Sequence, residues 1–488
     1  MARPGEPTQS RVLRDRSARV PWRQVIRGAL RDLAGRGPTA LPERLEGALY
    51  GQLVGDTLGS ADGRVAAWSD ESARMLALLD SLLGGRFDPE DEASAVTAVL
   101  SRPGEAGRTE TMVSRYHAAI LPVPLVMRAR EPRVIVDLAA RASGTSGEAQ
   151  VACALYALVV RRLVAGERGR AGVLTRATRD LREMLASGGL PGSPVVARPA
   201  PALAALDSFV ARSGRSGGDP VVDGFWSGWE AFAGSAGYQE AVTRARAPGS
   251  DARASAAIAG GLAGAYWGSA GIPVAWRRGL PEEAVARSLV DRLIETDAPG
   301  WDGRPWRTST SSPLRVDALD LTGCDDHAAG AVGITFLPGR RYVGYHTGAH
   351  WRDLDTDAAR LRELGVNVLL LLVEDRELVR CRVTGIGEAL AARAVELVRF
   401  PIRDPLLPRD GVAFCETIKS ILRRVRGGGW VAIACRGGLD RAGMAGACLL
   451  REAGLGSDEA IGRVQRARCG ALTLPDQQAY VRGWPPRR

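Results

Sequence analysis

The sequence predicts a multidomain chain, an all-α region followed by an α/β region with a mostly parallel central sheet. Three observations carry this expectation. From Glu43 to about Thr296, long alanine-, leucine- and valine-rich segments broken by glycine and proline follow helical spacing, with almost no alternating strands. From about Leu314 onward, short apolar β-prone runs alternate with helical stretches. Between the two, residues 297–313 are rich in proline, glycine and serine, the composition of a linker. At 488 residues the chain is too long for one ordinary core. The expected division is a flexible arm over residues 1–42, an all-α domain over 43–296, a linker over 297–313 and an α/β domain over 314–488.

Taken in order, the arm holds one short helix at Trp22–Leu33. The all-α domain carries helices at Leu45–Leu58, Ser72–Leu83, Val134–Ala142, Glu148–Ala165, Thr175–Ala186, Ser255–Trp267 and Glu282–Thr296. Trp226 and Trp229 read most simply as helix core. In the α/β domain, strands are expected at Ala331–Phe336, Val366–Val373, Glu396–Phe400 and Trp430–Ala434. The second of these is apolar except for Asn367, which suits a strand buried on both faces. Helices are expected at Asp353–Leu364, Gly385–Ala394, Gly411–Val425, Ala442–Ala453, Ser457–Arg468 and Leu474–Val481.

Composition narrows the function classes. The net charge is +10, and all but one of the 65 basic residues are arginine, scattered through every segment. A scattered excess makes no basic stripe, so no nucleic-acid partner is expected. Seven cysteines without paired spacing point to free thiols in a reducing compartment. No apolar run approaches the roughly 20 residues of a membrane span, and the first residues lack the apolar core of a signal peptide. The protein therefore reads as cytoplasmic, with no membrane partner. His117, His327, His346 and His350 are too dispersed for a zinc site.

The stretch that concentrates chemistry is Val431 to Ala447. An apolar run enters it, a glycine-rich turn crosses it and an alanine-rich helix leaves it. Cys435 and Arg441 thus flank a strand-to-helix turn with five residues between them. Such a turn gathers backbone N–H groups at a helix N-terminus and makes a site for a tetrahedral anion. The arginine adds a planar charged fork that can grip two phosphate oxygens. Together they stabilise a thiolate at the base of the cradle, and a thiolate there can attack phosphorus. The expected phosphate-binding residues are Arg436, Gly437, Gly438, Leu439, Asp440 and Arg441. The plainer alternative is a buried structural cysteine in a βα turn.

Residues 314–488 resemble a dual-specificity or tyrosine-type cysteine phosphatase, in particular the cyclin-dependent-kinase-associated phosphatase branch. The matching pieces are Arg352-Asp-Leu-Asp-Thr-Asp, Leu361-Arg-Glu-Leu-Gly-Val, Phe400-Pro-Ile-Arg-Asp404, Cys435 to Arg441, and Gly470-Ala-Leu-Thr-Leu-Pro-Asp-Gln477. The resemblance implies Cys435 as nucleophile, Arg441 as phosphate clamp and Asp404 as general acid and base, with Asp410 as the fallback and no cofactor. Three positions depart from the family. Ala434 replaces a histidine, Ala442 replaces a hydroxyl that assists the thiolate as leaving group, and Asp440 stands where glycine is common. An Asp440 facing the cradle would repel phosphate.

The helical region resembles an ADP-ribosylglycohydrolase. The matching pieces are Gly47-Ala-Leu-Tyr-Gly-Gln-Leu-Val-Gly-Asp56-Thr-Leu-Gly, Ser69-Asp70-Glu71-Ser72, the run from Gly249 to Gly268, and Ile272-Pro-x-x-Trp276. The resemblance implies two magnesium ions held by oxygen ligands, for which Ser69, Asp70, Glu71 and Asp251 are the residues in place. Arg253 stands where a second aspartate belongs and Ala254 where a threonine does. A guanidinium among Asp70, Glu71 and Asp251 would neutralise them without metal, which predicts a domain that binds rather than hydrolyses. The competing expectations are a magnesium-dependent glycohydrolase and a non-catalytic ADP-ribosyl or phosphoryl binding module. The expected partners are a phosphoprotein or a small phosphorylated substrate, with an ADP-ribosyl group as a further candidate.

Overall fold

The computed structural model describes residues 40–485 apart from 60–68, 85–119, 127–129, 142–145, 191–195, 214–219, 247–251, 298–304, 325–328 and 345–347. The expected helix at Trp22–Leu33 and residues His117, His327 and His346 lie outside the described residues.

The helical region is built on α1 (Leu41–Gly59), which is buried on every side from Pro42 to Asp56. It packs along α10 (Ala252–Trp267). Gly47, Gly51 and Gly55 recur every fourth residue and so share one face of α1. A Cβ on any of them would run into a carbonyl oxygen of α10, at Gly264, Gly260 and Ala256 respectively. The glycines therefore let two backbones touch, and this close approach fixes the register between the helices. Around this pair lie α2 (Asp70–Leu83), α3 (Pro122–Val126), α4 (Pro132–Arg141), α5 (Gly147–Val164) and α6 (Arg170–Gly188). They are completed by α7 (Pro199–Ala211), α8 (Pro220–Ala233), α9 (Tyr238–Ala245), α11 (Val274–Arg278) and α12 (Glu283–Asp297). Trp226 and Trp229 are buried, and Trp226 stacks on Phe209 with ring centroids 5.1 Å apart.

The α/β region holds a five-stranded sheet of order β1-β2-β7-β5-β6. Its strands are β1 (Asp317–Ala318), β2 (Ala331–Phe336), β5 (Val368–Leu371), β6 (Glu396–Arg399) and β7 (Trp430–Cys435). All pairs are parallel except β1 with β2. A separate antiparallel hairpin, β3 (Arg341–Gly344) with β4 (Gly348–Trp351), was not expected from the sequence. Helices α13 (Leu354–Glu363), α14 (Asp375–Arg380), α15 (Ile386–Ala391), α16 (Gly411–Arg426), α17 (Asp440–Glu452), α18 (Ser457–Ala467) and α19 (Pro475–Arg482) accompany the sheet. Two apolar clusters cover its two faces. That is why β5 and β7 read as nearly unbroken apolar runs.

The two regions meet through buried charge. Glu46 of α1 is fully buried and accepts from both Nη atoms of Arg341 at 2.7 and 3.1 Å. It also receives Arg287 at 3.1 Å, Arg277 at 3.4 Å and the Ser269 hydroxyl at 2.8 Å. Burial alone would push the Glu46 carboxyl up, but the three guanidinium groups hold it well below the usual carboxylate range. Residues 305–313 are packed against both regions: Thr308 is buried, and the Thr310 hydroxyl donates to Asp291 at 2.6 Å.

Candidate active site

The centre of the sheet delivers Cys435. β7 lies between β2 and β5, with Cys435 opposite Phe336, and α17 starts only five residues later. Gly438 has φ +68, and a Cβ there would lie 2.5 Å from the Thr335 carbonyl oxygen, so the turn needs glycine twice over. Its N–H donates to the Cys435 Sγ at 3.2 Å. The loop thereby turns one backbone amide onto the sulfur.

Arg441, 1% exposed, is the most heavily engaged side chain of the loop. Its two Nη atoms pair with Glu377 at 2.7 and 2.9 Å, and Nη1 also donates to the Ile402 carbonyl at 2.8 Å. Burial works against the charge on both partners. The pair overcomes it, with the Glu377 carboxyl held low and the Arg441 guanidinium pushed further up. Glu377 fixes the fork and so has a part in the site that sequence reading missed. In the sequence, Glu374 and Glu377 announce only a capping box at the start of α14, not the pairing with Arg441.

Asp404, on the loop between β6 and α16, is half-buried beside this fork. Its Oδ1 lies 3.3 Å from Arg441 Nε and its Oδ2 accepts from Arg436 Nη2 at 2.7 Å. Arg436 also lies over the Tyr342 ring, 5.0 Å from its centroid. Asp410 is instead the N-cap of α16 and accepts from the Ala413 N–H at 2.9 Å. Cys435, Arg441 and Asp404 are therefore brought together, and Asp410 is occupied elsewhere. Asp440 turns away from the sulfur and accepts from the N–H and hydroxyl of Thr473 at 3.1 and 3.2 Å. Ala434 and Ala442 are both fully buried.

The second site lies where α1 meets α10. The register that sets Gly55 against Ala256 also brings Arg253 to Asp56, with Nε donating to Oδ1 at 2.7 Å. Asp56 Oδ2 accepts from the hydroxyls of Ser72, at 2.6 Å, and Ser69. Arg253 was expected among Asp70, Glu71 and Asp251, and the carboxylate it meets is Asp56. Asp251 and the side chains of Asp70 and Glu71 lie outside the described residues. Magnesium requires several free oxygen ligands, and Asp56 has its oxygens committed to a guanidinium and two hydroxyls. Among the described residues no group of three or more histidine, cysteine, aspartate or glutamate side chains is placed to hold a metal. Of the four expected ligands only the Ser69 side chain is described, and its hydroxyl donates to Asp56.

A model of the ADP-ribosylglycohydrolase family matches residues 37–302, more than half of the chain. The chain belongs to this family. No curated protein matches the chain. Among solved structures, an ADP-ribosylglycohydrolase-related protein is 20% identical, with 52% of this chain and 98% of that chain covered at a TM-score of 0.37. A kinase associated phosphatase solved with its catalytic cysteine replaced by serine is 22% identical, covering 35% of this chain and 94% of its own, at a TM-score of 0.32. The active form of the phosphatase Tk-PTP is 27% identical over 34% of this chain and 92% of its own, at a TM-score of 0.25. The matching family is one of hydrolases by its description. Among the described residues no helix is long and apolar enough to cross a membrane.

Proposed function

We propose that residues 314–488 form a cysteine-dependent phosphomonoester hydrolase of the tyrosine or dual-specificity type. In this reading the ADP-ribosylglycohydrolase-family region, residues 43–296, binds an ADP-ribosyl group rather than hydrolysing it. The observation that carries the first part is the Gly438 N–H on the Cys435 Sγ at 3.2 Å, with Arg441 and Asp404 converging on the same loop.

The chemistry follows from that arrangement. The Cys435 thiolate attacks phosphorus, the P–O bond to the leaving group breaks, and Asp404 delivers a proton to the departing oxygen. The loop amides and the Arg441 fork hold the phosphoryl oxygens, as far as its bonds to Glu377 leave it free. Asp404, now a carboxylate, then takes a proton from water as that water displaces the sulfur and releases phosphate. Ala442 offers no hydroxyl to the departing thiolate, so the second step is the slower one. Neither step requires a metal. The substrate class is phosphotyrosine or phosphoserine/threonine on protein, or a phosphorylated ADP-ribose product that would link the two regions.

Hydrolysis of a simple aryl phosphate, in chelator, by wild type and Cys435→Ser tests this. Turnover with a burst of leaving group, lost by about 10⁴-fold or more in the variant, is expected. Equal turnover in both proteins would sink the proposal. A second reading, a magnesium-dependent glycohydrolase, meets the Arg253–Asp56 contact at 2.7 Å as its obstacle. It predicts metal-dependent activity that survives thiol alkylation.

A further inference from the structure

A basic cavity lies beside the Cys435 loop. It encloses about 630 Å³, within the size range of small-molecule sites, and Arg307, Arg315, Arg340, Arg468, Phe336 and Asp440 contribute to its walls. The loop turns its carbonyl oxygens this way. Arg340 Nη1 donates to the Arg436 carbonyl at 2.8 Å and Arg468 Nη2 to the Gly437 carbonyl at 3.4 Å.

The charges on the walls do not balance. Arg340 is 2% exposed and makes no ion pair with any described carboxylate; its remaining contacts are His350 Nε2 at 2.6 Å and the Phe336 ring at 4.5 Å. Its Nε is buried without a hydrogen-bond partner, as is the Nε of Arg468. Burial and the neighbouring Arg352 push the Arg340 guanidinium down to about 9, the behaviour of a cation lacking a counter-charge. Arg352 gives nothing back, because Asp357 engages it bidentately at 2.7 and 2.6 Å. Arg307, at the exposed edge, makes no ion pair with a described residue. The facing carboxylates are Asp317, which Arg315 and Arg468 already share, and Asp440, held by Thr473.

We infer that this cavity is a binding site for a small polyanion of the diphosphate class, held by the Arg307, Arg315, Arg340 and Arg468 guanidinium groups. Leaving a buried cation unpaired is costly, and tetrahedral oxygens match the guanidinium fork. Leu439, Leu474 and Pro313 complete an apolar rim for the remainder of such a ligand. The site adjoins the phosphatase cradle, sharing Gly437, Leu439 and Asp440 of its loop, and does not rest on its activity.

Inorganic pyrophosphate, titrated calorimetrically into the full chain with orthovanadate present to occupy the Cys435 cradle, tests the inference. Binding is expected, weakened about tenfold or more by the double exchange Arg307→Glu with Arg315→Glu, two exposed side chains outside the catalytic loop. An unchanged unfolding temperature in that variant shows that its fold is intact. Absence of binding, or an affinity indifferent to the double exchange, overturns the site. Aryl phosphate turnover measured on the same proteins without orthovanadate separates the two proposals. Turnover without pyrophosphate binding defeats only this one, and binding without turnover defeats only the phosphatase.

Discussion

Two arginine–carboxylate pairs, one in each region, have opposite consequences. Arg441 is held by Glu377 at the edge of the loop whose Gly438 N–H meets the Cys435 sulfur, where the proposed phosphatase needs a place for an anion. Arg253 meets Asp56 at the junction of α1 and α10, where the family resemblance leads one to expect magnesium. The pairing is the same and the surroundings decide its meaning. Backbone N–H groups at a helix N-terminus favour added negative charge, whereas a carboxylate already neutralised by a guanidinium and two hydroxyls has little left to offer magnesium.

The sharpest way to break this contrast is Arg441→Lys. A point charge cannot reproduce the bidentate hold, and kcat/KM for an aryl phosphate is expected to fall about 10³-fold in steady-state kinetics. A fall under about threefold would mean that Arg441 serves only to neutralise Glu377.

Asp291 shows what a buried carboxylate does without a guanidinium in contact. Burial pushes it up to about 6, against the hydrogen bond from Thr310. A raised folded value means that its stabilisation is present below the ordinary carboxylate range and is lost as pH rises through about 6. Asp291→Asn should therefore flatten the stability profile between about pH 4 and 6, by on the order of 2–3 kcal/mol, in denaturant titrations at several pH values. Glu46, held low by its arginines, has the reverse sign: its contribution is present above the ordinary range and disappears in acid. An unchanged profile in Asp291→Asn would show that the two kinds of site do not differ in this way.

The smallest effect belongs to Arg253→Asp, which replaces the guanidinium by a carboxylate. A loss of about 1 kcal/mol without metal is expected, together with a rise of unfolding temperature on adding magnesium that the wild type lacks. A wild type stabilised by magnesium to the same extent would erase the contrast.

Much of this was legible in the chain. The strand, glycine turn and helix around Cys435 announce themselves because each local preference agrees with the fold, and the helices on either side of Gly55 and Gly260 do the same. The helix at Pro199–Ala211 is not among those expected from the sequence; its prolines stand in the first turn, where they are tolerated. Glu377 and Asp56 were beyond reach as partners of Arg441 and Arg253. They lie 64 and 197 residues away along the chain, and only tertiary packing brings them together. The basic cavity is similarly silent in the sequence, since its arginines come from separate segments of an arginine-rich chain.

The close contact of α1 with α10 also has a mechanical side. Glu46 and Asp56 sit ten residues apart on α1, about 15 Å of rigid helix. Backbone presses on backbone between them, with no flexible side chain to take up slack. α1 is thus a stiff rod pinned at one end to β3 through Arg341 and at the other to Arg253 through Asp56.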